Sequence, residues 1–342
     1  MFYSLEFESL IPLMKVNKDC SIILAGDPKQ LGPTVRSSCA SCNGLSLSLQ
    51  ERLMGLSLYK EDSNYCVITK LLDNYRSHNA LLSIPSRLFY EGNLRCKASV
   101  EVTSACKNFE LLHDGQNFPM MVYDVMEGKE RSKIDTPSFY NVKECEAIVE
   151  IIQALLTSPN VQIHAGQIAV ITCFRAQVLK MREILRAARL SSINVGVVED
   201  FQGQETSVVL ISTVLTEHQQ RWMKDAKSGL GFMTDPKRFN VAITRASALC
   251  IIVGKVDYLE NSGSYWTALI EHVRRNGSIS YDCEGSGSPS EGKYDDFSEY
   301  GIDALMQKVQ DLNLLGGGHA MDRYDLAMRG YYEDAPEWRV CL

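Results

Sequence analysis

Arginines, glutamines and carboxylates placed where apolar runs end abruptly are the residues of this chain best suited to chemistry. In "SIILAGDPKQLG" the run Ile22-Ile23-Leu24-Ala25 stops at Gly26 and hands over to Asp27, Pro28, Lys29 and Gln30. A glutamine at a strand end can hydrogen-bond a terminal phosphate or the water attacking it; a Gly-Asp-Pro turn with a solvent-facing glutamine is the plainer alternative. "DNYRSH" supplies Tyr75 and Arg76. A guanidinium is planar, permanently charged and matched to phosphate oxygens; the alternative is a surface helix start with Tyr75 half-buried. "FQGQE" offers Gly203, where a backbone can approach a ligand, and Glu205, able to accept from ribose hydroxyls; a turn between two strands would also explain it. "PKRFNVAITRA" sets Arg238 and Arg245 seven residues apart, two helical turns, so they are expected on one face, with Asn240 between them. An ordinary basic helix face is the alternative there. Thr172, Phe174, Arg175, Gln202 and Thr213 bring hydroxyl, aromatic, basic and amide groups to further strand ends. Those types suit phosphate contact and base stacking.

These residues need a scaffold that delivers them together. Short apolar runs at 120–125, 167–172, 194–198, 207–214 and 249–254 alternate with helical patterns at 141–158 and 176–190. In the first helix Cys145, Ile148, Val149, Ile152 and Leu155 recur at helical spacing. Continuous apolar strands alternating with helices imply an α/β fold, a parallel sheet with helices on both faces, in which ligands bind beyond the carboxyl ends of the strands. Upstream, 8–16 reads as a helix, 21–26 as a strand, "RSSCASCNGLSLS" as a loop and "SLQERLMGLSLYK" as a helix, with a junction near 65–73. The division expected is 1–70, 71–275 and a tail, 276–342. The tail opens with the Gly/Ser-rich acidic stretch "NGSISYDCEGSGSPSEGKYDD", expected to be a disordered linker, and holds one amphipathic helix, "YGIDALMQKVQDLNLL".

Five segments in order, "GDPKQLGP", "NYRSH", "VITCFRAQ", "VEDFQGQETSVVLISTV" and "DPKRFNVAITRA", resemble the superfamily 1 helicases of the nonsense-mediated-decay branch, and among them the Armitage-like RNA helicases of small-RNA silencing. The resemblance covers about residues 6–275. It implies a RecA-like P-loop NTPase fold, with 1–70 the end of a first RecA-like domain, 71–275 a complete second one, and ATP with Mg²⁺ as cofactors. It implies that Gln30, Arg76 and Arg245 serve catalysis, Arg245 as an arginine finger and Arg76 at the γ-phosphate. Asp27, Tyr75, Gly203, Glu205 and Arg238 would bind nucleotide, Tyr75 packing on the base and Asn240 holding the neighbouring loop. Thr172, Phe174, Arg175, Gln202 and Thr213 would bind single-stranded RNA. Where the family usually shows Thr-Pro-Tyr this chain has Thr172-Cys173-Phe174, which loses the proline and the phenol but keeps an aromatic face. The implied activity is 5′ to 3′ ATP-dependent RNA unwinding in RNA-mediated silencing or ribonucleoprotein remodelling, in the cytoplasm, its granules or the nucleus, with Argonaute-type partners. A non-catalytic module that binds RNA or a helicase, and a DNA helicase fragment, are the competing readings; no residue here reads a 2′-hydroxyl.

An NTPase of this class needs a GxxxxGK[ST] loop and an acidic pair for Mg²⁺. The one imitation, Gly287 to Tyr294, ends in Tyr, follows no strand and lies in the polar linker. By the resemblance, Glu6, Glu8 and "SLIPL" match the stretch just after the family's Asp-Glu pair, which would fall before Met1. These 342 residues alone are therefore expected to hydrolyse no ATP, to be poorly stable over 1–70, and to leave Arg76 and Arg245 facing an open surface.

Composition sets few other bounds. Net charge is −7, yet residues from Asn276 on hold 13 acids and 5 bases, so the remaining 29 acids and 30 bases give the body +1, compatible with a basic groove. No apolar run has membrane-spanning length. Eleven cysteines include a single CxxC, Cys39 to Cys42, without two further ligands at a zinc spacing, so no metal site is expected.

Overall fold

Parallel strands need long crossovers, and the helices that supply them must bury one face on the sheet. In the computed structural model, which describes residues 4–35, 37–59, 68–112, 118–125, 130–132, 138–214, 233 and 235–281, that requirement yields a six-stranded, wholly parallel sheet. Its strands are β3 (Met120–Asp124), β6 (Ile168–Thr172), β7 (Asn194–Val197), β8 (Thr206–Ser212), β9 (Ala246–Gly254) and β10 (Ile279–Tyr281), in the order β10-β3-β9-β8-β6-β7. Two short pairs stand apart: β1 (Asp73–Asn74) with β2 (Arg95–Cys96), parallel, and β4 (Glu130–Ser132) with β5 (Phe139–Asn141), antiparallel. All five strands expected from the apolar runs are present within a residue or three of their expected ends.

Successive strand residues point to opposite faces, and the two faces carry separate cores. Ala169, Ile171, Val209, Ile211, Cys250 and Ile252 pack on one side with α4 (Asn79–Phe89), α8 (Pro236–Ile243) and α10 (Ser264–Arg275), around Trp266 and Phe239. Ile168, Val170, Val208, Leu210, Leu249 and Ile251 pack on the other with α6 (Val142–Thr157) and α7 (Arg175–Ala187). Asn141 caps α6, its side chain accepting from the amides of Lys143 and Glu144. Ile148, Ile152 and Leu155 of α6 are fully buried, each worth about 1.5–3 kcal/mol. A short helix, α9 (Val256–Glu260), leads from β9 to α10, and α5 (Val100–Thr103) follows β2.

The first seventy residues differ more from expectation. Helix α1 (Glu6–Leu13) forms, but 21–26 is irregular: Ile23 is 88% exposed, and among the described residues no strand lies beside this segment to complete a ladder. The Ser- and Cys-containing loop includes a helical turn, α2 (Ser38–Cys42), capped by Ser37, and the next helix, α3 (Leu49–Met54), is half its expected length. At the other end, Ile279–Tyr281, expected within the linker, adds the edge strand β10 beside β3. The rest of the tail, its expected helix and the Gly287–Tyr294 imitation lie outside the described residues.

Candidate nucleotide and nucleic-acid edges

The candidate residues divide between opposite ends of the sheet. Arg245 directly precedes β9, Glu205 directly precedes β8, and the Ser77 hydroxyl and His78 amide bond the carbonyls of Ala246 and Ser247. Asp27, Gln30, Arg76, Glu205 and Arg245 thus gather at the amino edge, while Thr172, Phe174, Arg175 and Thr213 lie at the carboxyl edge. With about 3.3 Å per residue, the seven residues of β8 hold the edges about 20 Å apart. Only the second group lies at the carboxyl ends, where ligands were expected. The reason is the crossover: α8 runs back over the sheet, so its last turn opens onto the amino edge.

At that edge Arg245 is 2% exposed. It donates from Nε to the Val241 carbonyl (2.9 Å), from Nη1 to the Gln204 carbonyl (3.2 Å), and from Nη2 to Thr244 Oγ1 (2.9 Å) and Gln30 Oε1 (3.5 Å). The open surface expected for it is corrected by these bonds. Gln30 in turn donates to Asp27 Oδ2 at 2.8 Å, and Tyr90 donates to the same oxygen at 2.6 Å. Asn240 donates to the Lys29 carbonyl (2.9 Å) and to Tyr90 Oη (2.8 Å), so it does hold the neighbouring loop. Burial and the Asp27 carboxylate raise the Tyr90 phenol well above its usual range, which keeps it a neutral donor. Lys237 adds a contact to Glu51 at 3.0 Å, and Leu31 enters the core. Segment 27–31 is thereby attached to α8 without belonging to the sheet.

Arg76 donates from Nε to Glu205 (2.5 Å) and from Nη1 to the Thr244 carbonyl (3.3 Å). This ion pair is partly exposed, 28% and 62%, a setting in which such pairs contribute about 0–1 kcal/mol. Tyr75 is 74% exposed, so it presents a ring to solvent and is not half-buried. Gly203 adopts φ +76° with open space where a Cβ would stand, the left-handed turn that returns the chain to β8. Gln202 lies on this return, its Oε1 buried without a partner among the described residues.

Arg238 and Arg245 do not share a face. Helix α8 ends at Ile243, and Thr244 is its cap. Arg238 sits in the first turn, paired with Glu199 at 2.7 Å, and Arg245 lies past the last turn in the interior.

At the carboxyl edge Thr172 and Thr213 are fully buried and offer no hydroxyl to a strand outside. Thr213 Oγ1 bonds the Val253 carbonyl at 3.3 Å, and a Cβ on Gly254 would lie 2.0 Å from it. Thr172 Oγ1 has no partner among the described residues. Phe174 and Arg175 remain half-exposed, Phe174 edge-on to Phe139 with ring centroids 5.5 Å apart. Behind them lies a residue that the motifs did not reveal. Glu144 is completely buried, accepting from Ser212 Oγ (2.6 Å) and the Val214 amide (2.9 Å); Gln177 bonds the same serine at 2.9 Å. Desolvation raises its carboxyl from 4.5 to about 7, against the lowering effect of Ser212 and Val214. Val214 is held at φ +60°, a conformation β-branched residues avoid. Asn141-x-x-Glu144 at a helix start was the available signal for a cap, but not for a buried acid.

Two exposed cysteines, Cys39 and Cys42, lie on α2, and among the described residues no group of three or more His, Cys, Asp or Glu could hold a metal ion.

A parallel sheet with helices on both faces, with arginines and a glutamine from distant segments meeting at one end, defines an α/β domain of the RecA-like motor class. The chain belongs to the AAA domain family, whose model matches residues 45–257. It is 40% identical over 282 residues to the human RNA helicase Mov10l1, covering 80% of this chain and 23% of that protein. It is 34% identical over 297 residues to the probable RNA helicase armi of Drosophila melanogaster (82% and 24%), and 32% identical over 293 residues to helicase SEN1 of Saccharomyces cerevisiae (83% and 12%). These relatives bear out the resemblance to superfamily 1 RNA helicases. The chain spans about a quarter of the first two and about an eighth of the third.

Proposed function

We propose that this chain carries the part of an ATP-dependent RNA helicase that senses the terminal phosphate and grips single-stranded RNA, with 1–70 and 71–275 as parts of two RecA-like domains. The observation that carries the reading is the contact of Arg245 with Gln30 across 215 positions, joined to Asp27 through Gln30. It links two segments that the family motifs assign to one phosphate site. The residues at the amino edge fit a triphosphate: Arg76 and Arg245 bring permanent charge to phosphate oxygens, and Tyr75 offers a face for a base. They do not make a Mg²⁺ site: among the described residues no group of three or more His, Cys, Asp or Glu could hold a metal ion, and Asp27 is engaged by the Lys29 amide, Gln30 and Tyr90. ATP bound here would supply the phosphoryl transfer that drives movement on RNA. Gln30 would orient a water, and Arg245, buried and held by Val241, Gln204, Thr244 and Gln30, would neutralise charge by exchanging its Gln30 contact for a phosphate oxygen. Phe174 and Arg175 are the candidates for stacking and phosphate contact at the other edge.

The names of the relatives support RNA as substrate, and the family resemblance supports silencing or ribonucleoprotein remodelling, 5′ to 3′ polarity, Argonaute-type partners and a cytoplasmic site of action. The test is RNA binding and RNA-stimulated ATP turnover by pure 1–342. The chain is expected to bind single-stranded RNA, to lose about 1–3 kcal/mol of affinity on Phe174→Ala, and to turn over no ATP by itself. Turnover abolished by Arg245→Ala would overturn the last point, and the absence of RNA binding would overturn the reading. The reading as an RNA-binding module without its own catalysis is favoured by the want of a GxxxxGK[ST] segment within these 342 residues; ATPase activity separates the two.

A further inference from the structure

Helix α7 begins at the carboxyl edge with Arg175 and carries Arg182 and Arg186 at intervals of seven and four. At 100° per residue these three fall within about 40° of one another. The buried residues Val178, Met181 and Leu185 occupy the neighbouring arc. The helix has one acid, Glu183, about 80° round from Arg175 and paired with Lys180 at 3.3 Å. Arg189 follows just past the helix in the left-handed conformation, φ +59°.

The lower end of this stripe borders a cavity of about 430 Å³ lined by Arg182, Arg186, Ser191, Ser192 and Asn194 among others. Arg182 is immobilised there, donating from Nε (3.2 Å) and Nη2 (2.5 Å) to the Val195 carbonyl of the edge strand β7. Capping an open sheet edge accounts for that arginine. Arg186 and Arg189 are exposed.

We propose that the arginine face of α7, with the Arg182–Arg186–Ser191 cavity at its foot, is a second binding site for the RNA phosphate backbone, continuing the track from Phe174 and Arg175 down the β7 flank. The inference rests on the reading of the carboxyl edge as the RNA edge. Arginine is suited to a run of phosphates because each guanidinium keeps its charge and presents several donors in a plane. The rise of α7 from Arg175 to Arg186, about 16 Å, makes room for several consecutive phosphates. A free phosphate ion is the same chemistry from another source, and the test separates the two.

Fluorescence anisotropy of 1–342 with a labelled octaribonucleotide and with a strand of about 30 nucleotides would decide, at several salt concentrations. Arg186→Glu with Arg189→Glu should weaken the long strand at least tenfold and lower its salt slope by about 0.7 for each phosphate no longer neutralised. The octamer, long enough for the Phe174–Arg175 edge alone, should be unaffected. Unchanged affinity and salt slope for the long strand, with or without binding of inorganic phosphate to the wild-type chain, would overturn the proposal. If Phe174→Ala and Arg175→Ala left the octamer unaffected as well, the carboxyl-edge reading would fail with it. Circular dichroism melting of each variant establishes that it is folded.

Discussion

Replacing Glu144 by glutamine tests the buried network behind the carboxyl edge through its pH dependence. The carboxyl titrates near 4.5 when unfolded and at about 7 in the folded chain, raised by desolvation. The folded chain holds the proton across that window and the unfolded chain has released it, so the native state binds more protons and stability falls as pH rises. A rise from 4.5 to about 7 corresponds to about 3 kcal/mol, fully expressed above pH 7. The neighbouring thiols of Cys145 and Cys173 are raised by burial and stay neutral throughout. Glu6, Glu110 and Glu260, whose carboxyls are lowered by hydrogen bonds, act in the opposite sense, losing stability as pH falls. They are common to both proteins and cancel in the difference. Glu144→Gln does not titrate, so urea unfolding of both proteins from pH 4.5 to pH 8 should show the variant gaining about 3 kcal/mol on the wild type. The sign of the constant offset depends on how the amide is accommodated by Asn141 and Ser212. The pH-dependent part does not. A stability difference that stays flat across the range would refute the assignment of a raised, proton-holding carboxyl at this position.

Three further outcomes follow from contacts at the two edges and between them. Gly254→Ala places a Cβ against Thr213 Oγ1 and should destabilise by about 1–3 kcal/mol, while adding Thr213→Ala should recover part of the loss; thermal melts of the double-mutant cycle read the coupling. Tyr90→Phe removes a hydroxyl that donates to Asp27 and accepts from Asn240, so tryptic cleavage after Lys29 should accelerate with little change in the melting of the sheet. Arg245→Lys cannot reproduce four directed bonds with one ammonium, and chemical denaturation should show a loss of about 1–3 kcal/mol even though charge is kept.

The apolar strands and the helices at α6 and α7 were legible because burial on both faces leaves a local pattern: unbroken Val and Ile runs, and Ile148, Val149, Ile152 and Leu155 at helical spacing. The stretch 21–26 has the same local pattern and forms no strand, because a strand exists through its partners and none stands beside it among the described residues. Strand β10 was missed for the converse reason. Three residues in a polar stretch carry no period, and only the free edge of β3 recruits them. The tight pairing of Arg76 with Glu205 joins residues 129 apart, a relation no local spacing encodes.

The residue types suited to phosphate and nucleic acid, and the order of the motifs that bear them, are properties of the chain itself. They determine the family and the strand–helix alternation. Which of those residues can touch one another was decided by the tertiary structure. The return of α8 across the sheet buries Arg245 and turns it to Gln30, and leaves Arg238 paired to Glu199 in its first turn. Thr172 and Thr213 disappear into the sheet, and Glu144, unremarkable in the sequence, becomes its most deeply desolvated carboxylate among the groups whose titration is resolved. The physical reason is range. Propensity and periodicity act over a few residues, whereas burial and charge pairing depend on which segments the sheet order makes neighbours.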